Sequence, residues 1–372
     1  MSHRPPPGDD GASAGASLHL VVPGALRQRT GGFLYDARMV DGLRERGWTV
    51  EVHELAGEFP GPDAEAEEAL DEVLDGLEQG ARVMVDGLAG GAHPGPMERH
   101  AARLRLLALI HHPLADETGL EASRAERLQT LERRTMQAVR GVVVTSPFTR
   151  ARLSEMGLPA ERTRAVPPGT DPAPPAPGPG SGAPPHLVCV GSVTPRKGHD
   201  VLVEALAGLQ DRAWTATCAG SLARAPGFAG EVIEAAREAG LEERVAFLGE
   251  LDAPELEALW AGASLLVLPS HYEGYGMAFT EALARGLPVV ATTGGATPHT
   301  VPHGPGEPGV LVPPGDAVAL GAALRRLLDD PEERRTRQEA ARRHARSLPD
   351  WPASVEAFAI AVRELTDTPE DP

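Results

Sequence analysis

The sequence has no asparagine, and Lys197 is the sole lysine among its 35 basic residues. Abundant Ala and Arg with scarce Lys and Asn is typical of a GC-rich coding sequence. A lysine kept against that bias is a candidate for a role that needs a compact point charge, whereas the alternative is that a single lysine is accidental. Cysteine is scarce as well: Cys189 and Cys218 lie in apolar, strand-like segments, and no Cys/His group has the spacing of a zinc site. We therefore expect two buried thiols, no structural metal and a cytoplasmic location.

Long apolar runs and a positive net charge are also missing. The run at 263–269 is far shorter than the roughly 20 residues of a membrane-spanning helix. A formal net charge of −18 argues against a nucleic-acid partner, because such binding depends on basic residues. It also disfavours anionic membranes, although the arginine-rich segments 99–107 and 124–134 leave a local peripheral contact open. Residues 1–16 are rich in Pro, Gly and Ser and are predicted to be a disordered tail.

Short apolar segments alternate with longer amphipathic ones in the first half of the chain. Continuous apolar strands between helices predict a parallel sheet covered on both faces, that is, a doubly wound, Rossmann-like domain. The predicted strands are 18–23, 49–55, 82–88, 104–112 and 141–146, and the predicted helices are 31–47, 63–80 and 121–141.

The same alternation restarts after a Pro/Gly-rich stretch without periodicity, which predicts a second Rossmann-like domain. Its strands are expected at 186–192, 214–221, 244–250, 264–270, 287–293 and 309–315. We expect one Rossmann-like domain at 17–170, a linker at 171–185, a second Rossmann-like domain at 186–345 and a crossover helix with tail at 346–372. In the last segment Val355, Phe358, Ala359, Val362 and Leu365 have helical spacing and need an apolar surface to cover.

Chemistry is expected in the loops that follow the strands, because open α/β sheets bind ligands outside the carboxyl ends of their strands. Gly31 and Gly32 follow the first strand and allow a ligand close to the backbone, although a plain turn explains them equally well. His111 and His112 end the fourth strand, where a histidine can contact a transferred group or merely be structural. Adjacent histidines point to opposite faces, which disfavours one metal ion between them.

The first loop of the second half, "VGSVTPRKGHD" at 190–200, contains Arg196 and Lys197. Two cations beside a helix start suit a diphosphate, whereas the alternative is a solvated basic turn. The P-loop pattern is absent, and the loop after the first strand of neither half has the G-x-G-x-x-G dinucleotide fingerprint.

The segment "EGYGMAFTE" at 273–281 has one glutamate in a loop and another about a turn inside a helix. If the helix starts at Gly276, the N–H groups of Gly276, Met277 and Ala278 form an anion cradle. Glu281 lies too close to a phosphate to be favourable unless it binds hydroxyls, and a ribose diol fits that role. Glu273 is the loop carboxylate of the pair.

Together with "RKG", "VVTSPFTR", "VPPGTD", "EALARGLPVVAT" and "GVLVPPGD", this segment resembles the retaining family 4 glycosyltransferases of GT-B fold. The resemblance covers about residues 18–365. It implies two facing Rossmann-like domains, the first binding the acceptor and the second binding a nucleoside-diphosphate sugar as donor substrate, with no cofactor and no obligatory metal. The acceptor, a glycan, lipid or small molecule, stays unidentified.

The resemblance also implies roles for single residues. Glu281 would bind the ribose hydroxyls, Glu273 the transferred sugar, and Arg196 and Lys197 the diphosphate. Gly276 and Met277 would donate backbone N–H groups to the diphosphate, and Gly31 and Gly32 would close over it. His111 best matches the histidine that contacts the donor sugar, with His112 as the alternative.

Two positions depart from the family pattern. Ser192 stands where many members carry an arginine, and His299 stands where a glutamate is usual. Alternative functions on the same fold are a nucleotide-sugar epimerase, a glycoside phosphorylase, or a non-catalytic protein that binds sugar nucleotides.

Overall fold

The computed structural model describes residues 16–158 and 160–367. The N-terminal half contains β1 (Ser17–Pro23), α1 (Gly31–Glu45), β2 (Thr49–Leu55), α2 (Ala64–Asp75), β3 (Arg82–Asp86), α3 (Gly87–Gly90), α4 (Pro94–His100), β4 (Arg105–Ile110), α5 (Ala122–Ala138), β5 (Gly141–Val144), α6 (Pro147–Glu155) and β6 (Thr163–Ala165). The disorder predicted for the first residues falls largely on 1–15, outside the described residues.

The C-terminal half contains β7 (His186–Val190), α7 (His199–Ala207), β8 (Thr215–Ala219), α8 (Pro226–Glu238), β9 (Val245–Phe247), α9 (Ala253–Gly262), β10 (Leu265–Leu268), α10 (Met277–Ala284), β11 (Val289–Thr292), α11 (Thr297–Thr300), β12 (Gly309–Val312), α12 (Ala317–Asp329), α13 (Pro331–His344) and α14 (Trp351–Asp367). Local sequence sets many helix starts. Asp252, for example, begins α9 with a capping box that it shares with Glu255.

Each half forms one six-stranded sheet, and all of the strand pairs in both sheets are parallel. The strand orders are β2-β1-β3-β4-β5-β6 and β12-β11-β10-β7-β8-β9. The prediction of two doubly wound, Rossmann-like domains is therefore confirmed. The sequence analysis missed β6, α4 and α6, and it extended β3 to residue 88, where the chain already turns into α3 at Gly87.

The crossover helix α14 returns to the first sheet, as predicted. Its apolar side chains are buried together with those of α1 and β1. The set on α14 comprises Trp351, Val355, Phe358, Ala359, Ala361, Val362 and Leu365. No helix within the described residues is long and apolar enough to cross a membrane.

Candidate functional site

The strand order places the site in both domains. In the second sheet the order reverses between β7 and β10, and in the first between β1 and β3. A crevice opens at such a switch point, outside the carboxyl ends of the two strands. Arg196 and Lys197 follow β7, whereas Glu273 follows β10. Residues that lie 76 positions apart in the sequence therefore meet in the second domain.

Glu273 is a buried carboxylate, 4% exposed, with three donors around it. Lys197 Nζ and Ser270 Oγ each donate to Oε1 at 2.6 Å, and Arg196 Nη1 lies 3.6 Å from Oε2. Burial alone would raise the pKa of Glu273. The positive charges of Lys197 and Arg196 outweigh the effect of burial, so the pKa of Glu273 is lowered. Burial in turn lowers the pKa of Lys197, although the Glu273 carboxylate acts to raise it. The two groups form a charged pair inside the crevice.

Two glycines after β11 shape the loop that carries Glu273. A side chain at Gly294 would collide with the backbone of His271, and one at Gly295 would collide with that of Glu273. Gly295 also has a φ of 59°, which favours glycine. The backbone N–H of Ala296 donates to the carbonyl of Glu273 at 2.7 Å. This tight packing fixes the position of the carboxylate.

The helix α10 starts as predicted, with Gly276 as its N-cap at a φ of 89°. Its first residues are Met277 and Ala278, whose N–H groups have no acceptor within the helix. A Cβ at Gly31 of the first domain would lie 3.7 Å from Met277 Sδ. The first residue of α1 therefore faces the start of α10 across the cleft.

Glu281 lies further along α10 in a different environment from Glu273. Among the described residues, none donates a hydrogen bond to its carboxylate. Burial raises the pKa of Glu281 to about 7, Arg285 and Arg38 counteract the shift, and Asp171 adds to it. The carboxylate is therefore available to a ligand that brings its own donors, such as a diol.

His111 is held by two carboxylates that the sequence analysis did not identify. Its Nε2 lies 3.1 Å from Asp36 Oδ1 on α1 and 3.3 Å from Asp86 Oδ2 at the end of β3. Burial alone would lower the pKa of His111, but the two carboxylates outweigh it and raise the pKa to about 10. Burial raises the pKa of Asp36 to about 6, although His111 counteracts it. The two carboxylates therefore favour the charged imidazolium form of the half-buried His111 at neutral pH.

His111 and His112 point in different directions. A Cβ at Gly32 would lie 3.2 Å from His111 Cδ2, so the His111 ring packs against the first turn of α1. His112 Nε2 instead lies 3.2 Å from Glu117 Oε2, and Glu117 also lies 3.3 Å from Arg196 of the second domain. The structure thus places the His111 ring, but not the His112 ring, beside the first turn of α1.

The two domains contact each other directly at this point. A side chain at Gly274 would collide with the carbonyl of His111. The ring of Phe148 in the first domain lies 6.0 Å from Tyr272 and 5.8 Å from His299, between centroids. His299, one of the two departures from the family pattern, therefore contacts an aromatic ring across the cleft. Sequence reasoning could not show this contact, because the partners come from different domains.

Within residues 16–158 and 160–367, three groups of side chains have the donor atoms and spacing to hold a metal ion. The first group, in the core of the second domain, is Cys189, His199 and Cys218. The second group, in the cleft between the domains, is Asp36, Asp86 and His111. The third group, on the first sheet, is His19, Glu51 and His53. Each group joins separate elements, so no spacing pattern in the sequence indicated it. Both cysteines are free and buried, as predicted.

Comparison with known proteins assigns the chain to a family. The family model described as "Glycosyl transferases group 1" matches residues 184–330, and "Glycosyltransferase Family 4" matches residues 89–174. The chain is 31% identical over 274 residues to the GDP-mannose-dependent alpha-(1-6)-phosphatidylinositol monomannoside mannosyltransferase of Mycolicibacterium smegmatis, which covers 69% of each chain. It is 30% identical over 276 residues to a D-inositol 3-phosphate glycosyltransferase of Corynebacterium aurimucosum, which covers 70% of this chain and 64% of that protein.

Solved structures share the fold at low identity. Sucrose-phosphate synthase from Thermosynechococcus elongatus superposes with a TM-score of 0.78 at 24% identity, over 95% of this chain and 99% of that one. Anabaena HepE, in complex with UDP and glucose, gives a TM-score of 0.72 at 17% identity, over 94% and 100% of the two chains. The chain therefore belongs to glycosyltransferase family 4, and its two facing Rossmann-like domains have the GT-B fold.

Proposed function

We propose that this glycosyltransferase transfers a hexosyl group from a nucleoside-diphosphate sugar to an acceptor hydroxyl with retention of anomeric configuration, without an obligatory metal. The observation that carries the proposal is the buried Glu273 carboxylate, held by Lys197 and Ser270 at the switch point of the second sheet. A fixed, charged carboxylate with paired cations suits a sugar with several hydroxyls joined to a diphosphate.

The leaving diphosphate would be stabilised from several sides. Arg196 and Lys197 supply positive charge, and the start of α10 supplies the N–H groups of Met277 and Ala278. Fixed donors of this kind act on the charge that develops on the leaving group, which is the main catalytic contribution we assign to the protein. His111, a charged imidazolium beside Gly32, would contact the sugar from the first domain.

Glu273 does not act as a covalent nucleophile in this proposal. Its Oε1 accepts hydrogen bonds from both Lys197 and Ser270, which leaves it poorly disposed to attack a sugar carbon. Retention would instead follow from departure of the diphosphate and arrival of the acceptor on the same face of the sugar. Glu281 would hold the ribose diol.

The identities of donor and acceptor are open within this proposal. The names of the relatives include GDP-mannose for the Mycolicibacterium enzyme, and HepE was solved with UDP and glucose. The acceptor is a glycan, a lipid or a small molecule, and a lipid acceptor would need peripheral membrane contact. The net charge of −18 speaks against a nucleic-acid partner. Two free cysteines fit a cytoplasmic enzyme.

Variants Lys197→Ala and Glu273→Gln test the proposal. We expect each to slow nucleoside-diphosphate release from the donor by about 10²–10³-fold, because each removes a fixed charge from the reacting region. Donors are first found by a thermal-shift screen of nucleoside diphosphates and their sugars. Glu234→Gln is the control, since Glu234 forms an exposed pair with Arg237 on α8. Wild-type rates in both site variants would refute the assignment.

A further inference from the structure

The edge of the first sheet carries a compact group of side chains with no role in the donor site. β2 is the outermost strand, and β1 is its neighbour in the sheet. His19 on β1 is the register partner of Glu51 on β2, and Val21 is the partner of His53. Residues two apart on a strand point to the same face. The register therefore places His19, Glu51 and His53 on one face of the sheet.

The donor atoms of these three residues converge. His19 Nδ1 lies 3.1 Å from His53 Nε2 and 3.5 Å from Glu51 Oε2. All three donor atoms lie within 4.8 Å of one another. A tetrahedral zinc ion with bonds of about 2.0–2.1 Å to nitrogen and oxygen places neighbouring ligand atoms about 3.4 Å apart. The two measured separations lie on either side of that value.

Hydrogen bonding alone satisfies this arrangement poorly. His19 Nδ1 faces both a ring nitrogen and a carboxylate oxygen. A neutral imidazole nitrogen has either one proton or one lone pair, so His19 Nδ1 can donate to only one of the two. A cation at the centre of the group would take a lone pair from each of the three residues.

We propose that His19, Glu51 and His53 bind a zinc ion at the exposed edge of the first sheet. The Glu51 side chain is 62% exposed and that of His19 is 20% exposed, so an ion can enter and water can complete the coordination. Two imidazoles and one carboxylate favour zinc over magnesium or calcium, which prefer oxygen ligands alone. The ion would join β2 to β1 through side chains, in addition to the backbone ladder.

The other two groups of possible metal ligands are less suited to an exchangeable ion. Cys189, His199 and Cys218 are all buried in the core of the second domain. Asp36 and Asp86 already share the His111 imidazolium in the cleft. Both groups are nevertheless competitors that the experiment must separate from the edge site.

Zinc binding to the full-length chain without an affinity tag tests the proposal. After treatment with a chelator and dialysis, equilibrium dialysis with metal analysis should show one zinc ion per chain, and zinc should raise the thermal midpoint. Glu51→Gln and His53→Gln should each weaken zinc affinity at least about tenfold, since losing a residue that merely orients a ligand already costs that much. His303→Gln is the matched control, because His303 is an exposed histidine of the second domain that contacts the backbone of Val301.

Cobalt substitution identifies the ligands. The cobalt form should lack the intense near-ultraviolet absorption of a thiolate ligand, which the cysteine group would produce. Glu51 is exposed, so Glu51→Gln should unfold at the same temperature as the wild type without zinc. Absence of zinc binding, a thiolate band, or unchanged affinity in both edge variants would each overturn the proposal.

Discussion

The two glutamates of the "EGYGMAFTE" segment differ in their charge because their neighbours differ. Lys197 and Arg196 lower the pKa of Glu273, whereas burial raises the pKa of Glu281 to about 7. A carboxylate with a raised pKa favours its protonated form in the folded protein. Its effect is to lower the stability of the free enzyme as pH rises from the ordinary glutamate pKa through about 7.

Nucleoside-diphosphate binding should therefore release a proton from Glu281. Ribose hydroxyls donate hydrogen bonds to the charged carboxylate and lower its pKa, so affinity should rise with pH up to about 7. Titration calorimetry near pH 6.5, in two buffers of different ionisation enthalpy, measures the protons released. Protons released by the ligand's phosphate are the same for the wild type and for Glu281→Gln. The difference in proton release between the two proteins therefore measures the proton lost by Glu281. Equal release from both proteins would contradict the assigned role.

Asp36 should act as a positioning residue for the His111 imidazolium. The charged pair adds stability that is present below the ordinary histidine pKa and is lost as pH rises towards about 10. Asp36→Asn should lower the pKa of His111 and cost on the order of 3 kcal/mol at neutral pH, because a buried charge loses a partner. Histidine NMR titration and denaturant unfolding check both effects. Asp41→Asn is the control on the same helix, where Asp41 pairs with exposed Arg27, and it should leave the pKa of His111 unchanged.

At the scale of elements, the contact between α1 and α14 depends on one glycine. A Cβ at Gly42 would lie 2.5 Å from Val355 Cγ2, which is closer than any real contact. Val355 has a short, branched side chain that cannot swing away. The close approach lets the apolar face of α14 pack onto the first domain.

Gly42→Ala should destabilise the protein by about 1–3 kcal/mol through overpacking. Gly230→Ala is the matched control: Gly230 lies on the exposed face of α8 with nothing within 4 Å of an added Cβ. That control should be neutral or should stabilise by about 0.5–1 kcal/mol. Denaturant unfolding measures both changes. In a Val355→Ala background, Gly42→Ala should destabilise the protein less than it does in the wild type, because the side chain that collides with the new methyl group is smaller. If the effects of the two substitutions on the unfolding free energy simply add, the contact with Val355 is not the cause.

Sequence patterns predicted the elements that carry their own signal. Apolar strands, the start of α10 at Gly276 and the apolar face of α14 could all be inferred from local periodicity and glycine placement. β6 was missed because a three-residue strand with a central arginine has no apolar pattern; its pairing with β5 uses the backbone. The carboxylates around His111 were missed because Asp36, Asp86 and His111 belong to three elements, which only the tertiary fold brings together.

At the scale of the whole molecule, residues of both domains contribute to the proposed donor site. Gly274 packs against the carbonyl of His111, and Arg196 lies 3.3 Å from Glu117 of the first domain. Phe148 adds an aromatic contact to His299 of the second domain. These contacts hold the proposed catalytic residues of the two domains in one arrangement across the cleft.

Because Lys197 is the sole lysine, the donor site can be addressed by amine chemistry. Its side chain is 15% exposed, and burial lowers its pKa, which increases the share of reactive free amine at a given pH. Mild acylation followed by intact-mass measurement should add one group at the N-terminal amine and one at Lys197. A bound nucleoside diphosphate should suppress the second addition alone. A mass spectrum would then count occupied donor sites directly, before any acceptor has been identified.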